Sequence, residues 1–327
     1  MYEAFYGLRE RPFDLVPNPR FLFLAGRQRE ALSNLRYGLT TARGLTLLLG
    51  EAGTGKTTML ESVVGELSGD GVRFVRLSNP TLTRSEFYEF LTRTFGLPDD
   101  AVDSKTRFLF ALRRELQERH AAGVLSALII DEAQSVPYEL LEEIRLLSNI
   151  ETTTTKLLNV VLAGQPELAD RLNESSLRQL KQRISLRCEL KPMDMSETAS
   201  YIAGRLRIAG GRPEHIFTRE AVGAIFDASQ GIARTVNVVC DNALIGGFAA
   251  QVRPISVAFI EEVRRDFDLK AVEPARPEPE SPDAAAAQPA AIAHFPSPPA
   301  EEPSRGEEAA EAPVFGTVRR KRRFSFF

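Results

Sequence analysis

The run Gly50-Glu51-Ala52-Gly53-Thr54-Gly55-Lys56-Thr57 constrains this chain more than any other stretch. It satisfies the spacing G-x-x-x-x-G-K-[ST], in which glycines let successive backbone N–H groups converge on one anion without a Cβ in the way. Before it, Leu45-Thr46-Leu47-Leu48-Leu49 is an apolar run suited to a buried strand; after it, Lys56 to Leu67 suits a helix. Strand, loop and helix in that order aim the positive end of the helix dipole at phosphate oxygens. The expected ligand is ATP, wrapped by Gly50, Glu51, Ala52, Gly53, Thr54, Gly55, Lys56, Thr57 and Thr58. Lys56 is expected to reach the β- and γ-phosphates, and Thr57 to offer its hydroxyl to Mg²⁺.

About seventy residues on, Ala127-Leu128-Ile129-Ile130-Asp131-Glu132 is an apolar strand ending in two acids. A parallel sheet presents its ligands at that strand end. Asp131 is expected to hold Mg²⁺, through water, and Glu132 to orient and deprotonate the attacking water, which predicts hydrolysis rather than binding alone.

Further strands are expected at 72–77, 157–163 and 184–190, with helices at 84–95, 104–120 and around 138–149. This alternation predicts an α/β fold with a parallel sheet covered on both faces. After Pro192 the strand signal stops. Ala199, Ile202, Leu206 and Ala209 share one helical stripe, and helices follow around 218–229, 235–250 and 256–268. The expected division is an α/β domain over 1–191 and a helical domain over 192–270.

Charge developing on a transferred phosphoryl group calls for a polar sensor and for arginines. Gln165 ends the strand at 157–163 and is the sensor candidate. Arg178 and Arg183 precede the strand at 184–190; either one points at a neighbouring subunit's ATP, or both belong to a solvated helix face. Arg234 opens a helix in the second domain, from which it can reach back to the γ-phosphate.

Composition changes near residue 271. The stretch 271–327 holds 10 of the 20 prolines. Residues 271–313 read as a disordered Pro/Ala/Glu-rich linker, because such a stretch buries too little apolar surface to offset its ordering entropy. Residues 314–327 carry five consecutive cations, Arg319 to Arg323, flanked by aromatics. The remainder holds 34 Lys/Arg against 35 Asp/Glu, so it shows none of the broad basic excess of a DNA-coating protein. Cys188 and Cys240 stand in no metal-ligand spacing and are expected to be buried free thiols of a reducing compartment. No stretch approaches the roughly 20 apolar residues of a membrane helix, and the opening lacks a signal peptide's pattern. The expected location is cytoplasmic, with any membrane association peripheral, at the inner face.

The chain resembles the AAA+ ATPases typified by the general secretion pathway protein A (ExeA-type) family over about residues 1–268. The resemblance rests on Phe5-Tyr6-Gly7-Leu8-Arg9-Glu10-Arg11-Pro12-Phe13, the glycine loop, Asp131-Glu132-Ala133-Gln134, Gly164-Gln165-Pro166-Glu167-Leu168 and Gly231-Ile232-Ala233-Arg234-Thr235-Val236-Asn237. It implies a five-stranded parallel sheet with a helical lid, ATP between them, and residues near Pro12, Phe13 and Phe21 beside the adenine. It also implies Gln165 and Arg234 as sensors and a homo-oligomer in which Arg178 or Arg183 acts in trans. Family members often have Pro where Ala233 stands, and the ExeA type continues into a membrane helix and a periplasmic part. This chain is closer to the shorter ATPases of exosortase and exopolysaccharide export loci. The expected role is to energise a cell-envelope secretion or export system, with the basic-aromatic tail docking on an inner-membrane protein or anionic lipid. Two alternatives are a DNA-binding regulator related to transposition ATPases and a nucleotide-dependent scaffold without turnover.

Overall fold

The computed structural model describes residues 1–69 and 71–269. The linker expected over 271–313 and the tail over 314–327 lie outside the described residues. The strands are β1 (Leu45–Gly50), β2 (Val72–Leu77), β3 (Leu125–Ile130), β4 (Leu158–Gly164) and β5 (Ile184–Leu190). The helices are α1 (Tyr2–Tyr6), α2 (Gly26–Thr40), α3 (Lys56–Leu67), α4 (Arg84–Phe95), α5 (Lys105–Ala121), α6 (Tyr138–Leu147), α7 (Pro166–Asn173), α8 (Arg178–Lys181), α9 (Met195–Ile208), α10 (Arg219–Ser229), α11 (Ala233–Ala249) and α12 (Val257–Asp266).

Among the described residues the five strands form one sheet in the order β2-β3-β4-β1-β5, and every pairing is parallel. The period of two along each strand divides the side chains between two cores. Leu47, Leu128, Ile130, Val160 and Leu162 enter one, with α4, α5 and α6. Leu48, Ala127, Ile129, Val161 and Ala163 enter the other, with α2 and α3. Both faces are thus covered, which is why the central strands β1, β3 and β4 read as largely apolar runs, while the edge strands β2 and β5 carry charged residues. Because the strands are parallel, the residues that follow β1, β3 and β4 all emerge on one edge of the sheet.

Capping boxes set the starts of α4 and α9, where Thr83 pairs with Glu86 and Asp194 with Glu197. A third core joins α9 to α12. The opening residues, placed in the α/β layer by a division at 191, share this helical core: Tyr2, Tyr6, Leu8, Phe13 and Phe21 all pack into it. Tyr6 donates its hydroxyl to the Leu244 carbonyl at 3.2 Å, and Phe13 meets Phe217 edge-on at 6.4 Å. Cys188 and Cys240 are buried and free. Among the described residues no helix is long and apolar enough to cross a membrane.

Candidate functional site

The glycine loop joins β1 to α3 in a form that needs its glycines. Gly53 has φ +81° and Gly55 φ +100°, a region L side chains rarely adopt. A Cβ on Gly53 would also lie 2.8 Å from Cβ of Arg234. That approach is close because the Arg234 N–H, at the start of α11, donates to the Gly53 carbonyl at 3.0 Å. The helical layer is therefore hydrogen-bonded directly to the phosphate loop.

Lys56 is buried, and its Nζ donates to the carbonyls of Gly50 at 2.8 Å and Glu51 at 3.1 Å. Burial pulls its pKa below the ordinary lysine value, against the opposing pull of the Glu132, Asp131 and Glu51 carboxylates. Thr57, one residue on, donates its hydroxyl to Asp131 Oδ2 at 2.9 Å. Asp131 is 3 % exposed and also accepts from Arg76 Nη2, at the end of β2, at 3.1 Å. Arg76 reaches Glu61 of α3 through its other nitrogen.

Glu132 sits at φ +52°, unusual for a side-chain-bearing residue. Its carboxylate accepts from Gln134 Nε2 at 2.6 Å, while Gln134 Oε1 accepts from the backbone N–H of Gln165 at 3.1 Å. Arg171 of α7 donates to the carbonyls of Gln134 and of Val136, tying α7 to the turn that follows β3.

These elements enclose a cavity of ≈ 300 Å³. Its walls include Gly53 to Met59 of the loop and α3, Glu132, Phe21 of the opening segment, and Arg205 and Arg234 of the helical layer. Of the expected site residues, Gly53, Thr54, Gly55, Lys56, Thr57, Thr58, Glu132 and Arg234 line it, Gly50, Glu51 and Ala52 do not, and Asp131 joins it through Thr57. Gln165 precedes α7, its backbone N–H held by Gln134, and it is not among the residues that line the cavity. Arg178, the first residue of α8, and Arg183, just after it, are exposed. Phe21 lines the cavity, whereas Phe13 belongs to the helical core. Gln28, Arg76 and Arg205 stand in no motif of the sequence, and Gln134, part of the acidic motif, had no expected role. For Arg205 a signal existed: it follows Ile202 by three residues and precedes Ala209 by four, so it falls on the apolar stripe of α9.

The cradle fits a triphosphate and its divalent cation. A Cβ at Gly50 would meet the Leu190 carbonyl and the Thr54 hydroxyl at 2.8 Å each, so the loop tolerates no side chain there. The Thr57 hydroxyl beside the Asp131 carboxylate is a pair of hard oxygens of the kind Mg²⁺ prefers.

Residues 39–172 match the family described as an AAA domain. Over 250 residues, 76 % of this chain, the sequence is 42 % identical to general secretion pathway protein A of Aeromonas hydrophila. The chain covers 45 % of that relative, under half its length. Among solved structures, the Aeropyrum pernix ORC2 protein, described in ADPNP-ADP complexes, superposes with a TM-score of 0.59 at 18 % identity, covering 79 % of this chain and 71 % of the other. Cdc6p from Pyrobaculum aerophilum superposes with a TM-score of 0.60 at 18 % identity, covering 78 % and 70 %. At such identities the likeness concerns the fold.

Proposed function

This chain belongs to the AAA+ P-loop ATPases of the general secretion pathway protein A type, and from that premise we propose that it hydrolyses ATP to energise the assembly or operation of a cell-envelope secretion or export system. The observation that carries the catalytic half is the Thr57–Asp131 hydrogen bond of 2.9 Å. It ties the phosphate loop to the acidic strand end, with Glu132 facing the same cavity.

Each role follows from chemistry. Lys56 neutralises the β- and γ-phosphates, and the glycine-loop N–H groups orient them. Thr57 and Asp131 would hold Mg²⁺, which when bound supplies positive charge beside the phosphate oxygens. Glu132 accepts a proton from the attacking water. Arg234 reaches the γ-phosphate from the helical layer, and Gln165 acts as polar sensor from the end of β4. Arg178, exposed at the start of α8, or Arg183, exposed just after it, acts on the ATP of the next subunit in a homo-oligomer. Residues 192–270 serve as a lid over the nucleotide. Residues 314–327 dock the protein on an inner-membrane partner at the cytoplasmic face, as their clustered cations and aromatics favour.

The test is phosphate release by the full chain, alone, with anionic liposomes and with duplex DNA. Wild type should turn over, and Glu132→Gln should retain ATP without releasing phosphate. Stimulation by liposomes supports the envelope role. Stimulation by DNA that fades steeply with salt would replace it with the nucleic-acid reading. A wild type as inert as Glu132→Gln would leave only a scaffold.

A further inference from the structure

Arg205 is 7 % exposed, and its Nε and Nη1 have no hydrogen-bond partner among the described residues. A buried guanidinium without acceptors is costly, because it has left water and gained nothing in return. What holds it is aromatic: its guanidinium lies over Phe21, 5.0 Å from the ring centroid, and over Tyr201, 5.2 Å from that centroid. The Tyr201 hydroxyl is itself fixed, donating to Asn237 Oδ1 at 2.8 Å. A second orphan stands in the same enclosure: Gln28 Oε1, on α2, is buried and has no hydrogen-bond partner among the described residues either. Arg205 and Gln28 both line the cavity that holds Lys56 and the glycine loop.

The chemistry of the two orphans is complementary. Arginine only donates, and the Gln28 oxygen only accepts. A ligand satisfying both carries an acceptor and a donor on one rigid body. The phosphates of a nucleotide offer acceptors alone, and the loop and Lys56 already serve them. Adenine offers ring nitrogens as acceptors and a 6-amino group as donor, and a glutamine amide suits that base edge. Neither orphan belongs to the loop: Gln28 is on α2, and Arg205 of α9 stacks on Phe21 of the opening segment.

We infer that Gln28 and Arg205 read the nucleotide base, Gln28 accepting from the 6-amino group of adenine and Arg205 donating to a ring nitrogen. This rests on the reading of the glycine loop as a triphosphate site. It goes further in assigning the choice of base to two side chains outside every motif of the sequence.

Competition binding on the full chain tests it, with ATP, purine riboside triphosphate (which lacks the 6-amino group) and inorganic tripolyphosphate as competitors. For wild type, ATP should bind roughly tenfold tighter than purine riboside triphosphate, the effect of one buried hydrogen bond. In Gln28→Leu that preference should fall below about twofold. Arg205→Met should weaken ATP by roughly tenfold to a hundredfold, as expected for a charge-assisted bond, and leave tripolyphosphate unchanged. Equal binding of ATP and purine riboside triphosphate by wild type overturns the assignment to Gln28, and needs no variant to fold. An Arg205→Met protein that binds ATP as wild type does overturns the assignment to Arg205. Tripolyphosphate and ATP binding equally to wild type and to Lys56→Ala would instead remove the triphosphate site, and the base contacts with it.

Discussion

The side-chain amide of Gln134 holds the Glu132 carboxylate, donating to it at 2.6 Å while its oxygen accepts from the Gln165 N–H at 3.1 Å. One amide thus connects the proposed base to the end of β4. Glu132 needs such a tether, because its backbone at φ +52° gives no regular element to orient it.

Changing Gln134 should therefore act on turnover more than on binding. Gln134→Glu keeps the shape but sets a second carboxylate against the first. Glu132 is solvent-exposed, so loss of this hydrogen bond is worth about 1 kcal/mol and kcat should fall roughly fivefold to tenfold. The KM for ATP should change little, because Gln134 is not among the phosphate-loop residues. A rise in KM with unchanged kcat in steady-state phosphate release would refute this.

Arg76 and Thr57 share one oxygen of Asp131, at 3.1 Å and 2.9 Å. Arg76 is the local counter-ion of a nearly buried carboxylate, and it sits where a divalent cation would add its own charge. Arg76→Met should leave Asp131 uncompensated when metal is chelated. Arg76 is partly solvated, so the loss should be about 1–2 kcal/mol, below that of a fully buried pair, or roughly 3–6 °C in melting temperature. Excess Mg²⁺ should close most of that gap by supplying the missing charge. Thermal melts in EDTA and in Mg²⁺ decide it, and a deficit of equal size in both would show that Arg76 has no bearing on the metal position.

The phosphate loop was legible because its determinants are local: glycines, lysine and threonine stand within eight residues, between a strand and a helix. The central strands were legible for a related reason, since burial on both faces leaves apolar runs such as Val160 to Ala163. Arg205 showed only as a charge on the apolar stripe of α9, and its want of acceptors belongs to the assembled cavity. Gln28 was not legible, because what marks it is likewise the absence of a partner, a property of that cavity. Nor was the destination of the opening segment. Tyr2 and Tyr6 meet α11 nearly 240 residues away, and no periodicity encodes such a contact.

Gly231 ties the turn before α11 to the segment before α9. It has φ +71°, and a Cβ there would lie 1.8 Å from the Met193 carbonyl oxygen. Its own carbonyl accepts from the Met193 N–H at 3.0 Å. Gly231→Ala must therefore push apart two backbone segments as well as adopt a strained φ, at a cost of about 2–4 kcal/mol. The helix it precedes carries Arg234, whose N–H is bonded to the phosphate loop. Weaker ATP binding should accompany the lower melting temperature in the same variant. Retention of wild-type affinity for ATP would mean that the loop and α11 are not coupled through this turn.

Lys56 gives a prediction whose sign depends on pH. Its nitrogen is buried against two carbonyls, and burial holds its pKa below the ordinary lysine value of 10.5. Between that depressed value and 10.5 the unfolded chain binds more protons than the folded one, so the stability of nucleotide-free protein should rise with pH in that window. At neutral pH the buried charge is a net cost. Lys56→Met should then melt higher than wild type, by roughly 2–4 °C for about 1 kcal/mol. The advantage should shrink as pH climbs towards 10.5, where wild type sheds the proton. Saturating ATP should reverse the order at neutral pH, because only the charged lysine gains a phosphate partner. Differential scanning of both proteins with and without ATP, from pH 7 upward, measures all three effects. A Lys56→Met protein less stable than wild type without nucleotide would show that the two carbonyl hydrogen bonds outweigh the cost of burying the charge.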